Sequence, residues 1–243
     1  MRFAPSHLTL LAIALSLSTL SHAADKVVGP GENADTGSRS VLVPSGVAAG
    51  VIDTGSGDVL LEAGAVTRNI DTGSGSVELA AGASAGRIDT GSGSVRLGND
   101  AQAGAIDTGS GQIELGNAVR VEGIDTGSGE VELVGTRVEG KVDTGSGDVT
   151  VTDSAIGDDL LTSAGQVTLA GASVVEGDLI VRKPKCWGLC WGNDEPTRIV
   201  IGASASVSGE IRIEREAELW VHESARIGRV SGAQVKRYSG ERP

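Results

Sequence analysis

The stretch IDTGSG begins at Ile52 and returns unchanged from Ile70, Ile88, Ile106 and Ile124, and VDTGSG follows from Val142. The copies start every 18 residues without a gap. Weaker copies extend the register, with ADTGSR from Ala34 and LLTSAG from Leu160. A fixed short period marks a solenoid, whose units bury their apolar faces only by stacking on neighbours. In residues 52–69, IDTGSGDVLLEAGAVTRN, Ile52 and Thr54 share a face around Asp53, and Val59 and Leu61 share a face around Leu60. A weaker third segment carries Ala65 and Val66 before the next Ile. Short β-branched segments broken by Gly at regular intervals read as strand, turn, strand, turn. The chain is therefore expected to be all-β, a single-stranded parallel β-solenoid (β-helix) of about ten triangular coils stacked at the ~4.8 Å spacing of paired strands.

Asp-Thr-Gly-Ser also surrounds the catalytic carboxylate of pepsin-like aspartic proteases. Those enzymes need two such motifs in two lobes, with the carboxylates sharing a proton. Coils of one period cannot supply two lobes, so the motif reads as a turn. A bend of roughly 120° needs positive φ or a missing Cβ, and the glycines provide either. Asp35, Asp53, Asp71, Asp89, Asp107, Asp125 and Asp143 then form a structural ladder, each accepting amide bonds within its own turn. The Thr54 column is expected to stack its hydroxyls along the inside or the edge.

Aspartates in a column also invite calcium. The toxin-type β-roll uses a G-G-x-G-x-D nonapeptide that does not occur here. Calcium takes about six to eight oxygens, and each coil offers one strong acid at this corner. Metal ligands, cofactors and catalytic residues are expected to be none. The single Thr rank is too narrow for an ice-binding face, and no Asp, Lys and Arg cluster of the polysaccharide-lyase kind appears. No phosphate loop, dinucleotide fingerprint or zinc-protease helix motif occurs either.

The chain opens MRFAPSHLTLLAIALSLSTLSHAADKV. Arg2, the apolar run from Leu8 to Leu20 and the small-x-small exit read as a signal peptide over 1–23, cleaved between Ala23 and Ala24. The run is too short for a membrane span, so no integral membrane segment is expected after cleavage. The product is expected in the periplasm, secreted or at the cell surface. After that loss the aromatics are Trp187, Trp191, Trp220 and Tyr238. A core without aromatics suits narrow coils of Val, Ile, Leu, Ala and Thr. The formal net charge of −12 argues against nucleic acid as a partner.

Residues 24–33 read as a lead-in and 34–181 as the 18-residue repeat. The register breaks at 182–198, a loop carrying Cys186, Trp187, Cys190 and Trp191. The only two cysteines of an exported chain point to a disulfide between Cys186 and Cys190. Trp187 and Trp191 either cover the side of the solenoid or contact a partner. In 199–232, Ile201, Val207, Ile213 and Leu219 recur every six residues, which predicts hexapeptide-like coils. Hexapeptide acyltransferases use a catalytic His, but His222 is single and reads as a surface residue. The tail 233–243 reads as a cap or a frayed end.

The units DTGSGDV and TGSGSVEL resemble the bacterial adhesin-like domain family, exported β-solenoids of unassigned biochemical function. That resemblance covers roughly residues 34–170. VIGASASVSGEIRIE is similar to the coils of bactofilins, which implies end-to-end self-association. The expected function is a non-enzymatic adhesin-like or scaffold protein of the cell envelope, with an envelope polymer or protein as partner. The alternative is a calcium- or carbohydrate-binding module using the Asp ladder or the Trp loop.

Overall fold

The computed structural model describes residues 26–183 and 197–243. Every regular element in them is a β-strand, and the pairings are parallel, coil upon coil, through about 11 turns. Three faces make each turn. The first face runs from Ala34–Thr36 through Ile52–Thr54 and Ile70–Thr72 to Val230–Ser231. The second is a 12-stranded sheet from Lys26–Val27 to Val235–Tyr238. The third is the narrowest, from the bridges Ala48↔Val66 and Val66↔Ser84 to Arg226–Ile227. Gln102–Thr108 and Arg120–Thr126 run unbroken around the corner between third and first faces. The result is a β-solenoid.

Alternation decides which side chains go inside. Ile52 and Thr54 are buried around an exposed Asp53, and Val59 and Leu61 are buried around Leu60. Each of these pairs in register with its equivalent 18 residues on, Ile52 with Ile70 and Leu61 with Leu79. On the third face the inward residues are Ala65 and Thr67, whereas Val66 is 43% exposed. The sequence reading had Ala65 and Val66 there. A four-residue turn closed by the Ala65 amide on the Glu62 carbonyl shifts the phase.

Two corners solve their bends differently. Between second and third faces one position in each coil down to Ser204 takes the left-handed region: Gly46, Gly64, Gly82, Asp100, Ala118, Gly135, Asp153, Gly171 and Ser204. In the Gly-Ser-Gly copies of the next corner no glycine does so, although Gly165 of the LLTSAG copy does. There the missing Cβ matters, because a Cβ on Gly93 would lie 1.8 Å from the Gly75 carbonyl oxygen of the coil before. The turn bond also belongs to a different residue than expected. Thr54 Oγ1 accepts from the Gly57 amide at 2.9 Å, and Thr72, Thr90, Thr108 and Thr126 repeat this with the glycine three residues on. With Thr inward at the corner, Asp53 points outward, away from the turn amides. The expected Asp-to-amide bond is not made among the described residues.

Leu179 pairs with Ile211, a step of 32 residues that contains 184–196. Thr197 and Arg198, read above with the loop, begin the strand Thr197–Ile201 and pair with Ala217 and Glu218. The Arg182 amide donates to the Thr162 carbonyl at 2.7 Å, so Arg182 also belongs to the stack. Cys186, Trp187, Cys190, Trp191, Ala23 and Ala24 lie outside the described residues. The sixfold spacing of Ile201, Val207, Ile213 and Leu219 is a walk around the three faces, since Val200 pairs with Trp220 a full coil later. Among the described residues no helix is long and apolar enough to cross a membrane.

Candidate functional site

The first face carries the ladder on its outside. Asp35, Asp53, Asp71, Asp89, Asp107, Asp125 and Asp143 pair rung to rung in unbroken register. The position two residues before each rung sets its surroundings. Arg87 stands there for Asp89 and bridges it (2.9 Å) to Asp107 (3.1 Å). Lys141 stands there for Asp143 and bridges it (3.2 Å) to Asp125 (3.5 Å). Partial burial pulls the Lys141 ammonium down, but Asp143 and Asp125 outweigh it and raise it above the ordinary lysine value. Beside Asp35, Asp53 and Asp71 the same position holds Asn33, Val51 and Asn69. Those three rungs have no Lys, Arg or His within ion-pair distance among the described residues. The rungs are one per coil, and no group of three or more His, Cys, Asp or Glu among the described residues is placed to hold a metal ion.

This arrangement separates two substitutions that look alike in sequence. Two unit charges about 5 Å apart repel by somewhat under ~1 kcal/mol in water, less with salt. Asp53→Asn should therefore raise the melting temperature by about 1–3 °C, because it relieves repulsion and breaks no pair. Asp107→Asn loses its Arg87 contact and should leave melting within about 1 °C. Thermal melts at low salt with and without millimolar calcium check both. A calcium-dependent rise in wild-type melting that Asp53→Asn abolishes would turn the ladder into a metal site.

Below Asp143 the column changes chemistry. Leu161 pairs beneath Asp143, Ile180 beneath Leu161 and Arg212 beneath Ile180. The step from seven carboxylates to two aliphatic groups and a guanidinium opens a groove of about 460 Å³ among the described residues. Leu161 and Ile180 line its floor, with Arg182, Lys183, Arg212 and Glu214 around them. Arg182 reaches back to ion-pair with Asp143, tying the groove to the last rung. Arg212 lies 3.5 Å from both Asp178 and Glu210. Glu210 is held below the ordinary glutamate value, first by the Ser231 hydroxyl and then, against desolvation, by Arg229 and Arg212. Arg215 donates to the Ser163 carbonyl at 2.9 Å. Of the two aliphatic side chains Ile180 is 9% exposed, so the groove offers little apolar surface beside its guanidinium and carboxylate groups.

The sequence reading missed this groove. The inward columns run past Leu160 without a break, and nothing in them signals the change that follows Asp143 on the outside. Aligning Leu161, Ile180 and Arg212 under the ladder would have found it. His222 ends the strand Ala217–His222 and is half-buried: its Nδ1 accepts the Ser224 amide at 3.1 Å, and its ring meets Tyr238 edge-on at 5.1 Å. Trp220 lies on the outside of the second face with the Lys236 ammonium 4.9 Å from its ring centre. No protein-family model, curated protein or solved structure matches this chain.

Proposed function

We propose that the protein is an exported, non-enzymatic β-solenoid acting as an adhesin-like or scaffold element of the bacterial cell envelope, in the periplasm or at the surface. One observation carries this reading. The first face presents the same carboxylate seven times at strand spacing on a backbone fixed by its own ladder of pairs, and then ends in a groove of different chemistry. A rigid row of repeated groups fits a partner that is itself extended, a polymer or another protein, better than a small substrate held by converging groups. The adhesin-like resemblance of residues 34–170 and the apparent signal peptide support the same destination. A calcium- or carbohydrate-binding module remains the second reading, favoured by the three rungs Asp35, Asp53 and Asp71 that carry no cation.

Trp187 and Trp191 are proposed as the partner contact, in a segment closed by a Cys186–Cys190 disulfide. Because Arg182 and Thr197 are built into the stack, the segment to replace is 184–196, with a short Gly-Ser linker. The variant should keep the wild-type circular dichroism and melt within about 3 °C of wild type, since no described strand is removed. Its retention on envelope extract should fall by about tenfold or more, the scale of losing an anchoring aromatic pair. Unchanged retention with a large fall in melting temperature would make the segment a structural cover instead.

A further inference from the structure

We propose that both ends of the stack are charge stops that keep the protein a single rod. The observation is where the register places two cations. The column Val43, Leu61, Leu79, Leu97, Leu115, Leu133, Val151, Leu169, Ile201, Val221 is apolar and buried throughout. The next residue in register beneath Val221 is Arg237. At the other end, the column that begins Val41, Val59, Val77 is closed by Lys26 above Val41. By register both cations occupy inward positions, Lys26 half-buried and Arg237 exposed, in strands that among the described residues pair on one side only.

Each stop is satisfied on the solenoid's own side. The Arg237 guanidinium donates to the His222 carbonyl at 3.3 Å. The Lys26 ammonium pairs with Glu32, whose other oxygen accepts the Gly29 amide at 3.0 Å. These two contacts, Lys26 first, hold the Glu32 carboxyl below its ordinary range. The neighbouring columns also taper at the C-terminal end: Ile211 is followed by Val230, and Leu219 by Val235. A further coil laid on the C-terminal end would bury the Arg237 guanidinium against aliphatic side chains with no carboxylate opposite, and one laid on the N-terminal end would bury the Lys26–Glu32 ion pair; either desolvation costs more than a short strand pairing returns. Inward-pointing charge on a terminal strand is a known way to stop edge-to-edge growth. The end-to-end association implied by the bactofilin likeness is opposed by this arrangement.

The test is sedimentation velocity on the full chain from about 1 to about 100 μM, the range in which mass action reveals weak association. Wild type should sediment as a monomer throughout. The double variant Lys26→Val with Arg237→Val should increase its mean mass at least about twofold over that range. Lys236→Val removes a cation from the outward side of the same last strand and should stay monomeric. Circular dichroism checks that each variant is folded. Should the double variant not fold, Arg237→Val alone, changed at an exposed residue, should give tail-to-tail dimers. Concentration-dependent association of wild type overturns the proposal. So does a folded Arg237→Val variant that stays monomeric, or a Lys236→Val variant that associates as strongly.

Discussion

Leu115→Asp is expected to lower the melting temperature by about 6–20 °C and to remove strand signal from several coils at once. Leu115 is 2% exposed and stacks between Leu97 and Leu133. Among the described residues the column holds no cation before Arg237 at its far end, so the new carboxylate would be buried unpaired, at about 3–5 kcal/mol. Domain stability is only about 5–15 kcal/mol, so the loss is a large part of it. At roughly 2–4 °C per kcal/mol for a chain of this size, the shift is easily read by circular dichroism. The loss should spread, because each coil is covered only by its two neighbours. Glu114→Gln, one residue away and outward, gives up only an exposed pair with Arg96 and should change melting by about 2 °C or less. If Leu115→Asp melts like Glu114→Gln, the inward and outward faces are reversed.

The second large effect is expected from a single methyl group. In Gly111→Ala the new Cβ would fall 1.8 Å from the Gly93 carbonyl oxygen and 2.4 Å from its carbon. Both atoms are backbone of the coil before, so no side chain can swing aside and the two coils must part. Overpacking against fixed backbone costs about 3 kcal/mol or more, or about 10 °C in melting temperature. Gly37 stands at the first glycine position of the same corner in the first described coil (the equivalent of Gly111 itself is Arg39), where a Cβ meets nothing within 4 Å and φ is not positive. Gly37→Ala should therefore be silent within about 1 °C. Equal effects at the two positions would mean that chain flexibility, and not close stacking, selects glycine at this corner.

The fold was legible because repetition averages out local ambiguity. A lone IDT or VEL triplet is too short to assign, but seven aligned copies leave one geometry that buries every Ile, Thr, Val and Leu column together. What escaped the reading were features that depend on phase or on what lies opposite. The third face slipped by one residue because a turn ending at Ala65 is invisible to period counting. The hydrogen bond given to Asp53 went to Thr54 because only the stacked structure shows which of the two faces the turn amides. The groove escaped because it lies where the repeat stops repeating. There Leu161 and Ile180 look like further core residues unless they are placed on the outward column. Lys26 and Arg237 read as ordinary charges near the chain ends until the register puts them over Val41 and under Val221.

The 18-residue register has a consequence for how such a gene can change. A unit such as residues 52–69 begins and ends at the same point of the coil, and its neighbours on both sides offer the same columns. Duplicating or deleting one unit's worth of codons would return every downstream strand to a matching partner, whereas a shift by one codon would turn Ile outward and Asp inward. Rod length is therefore the trait most open to inheritance by single steps. The two end stops and the groove, which lie outside the IDTGSG units, would be passed on unaltered.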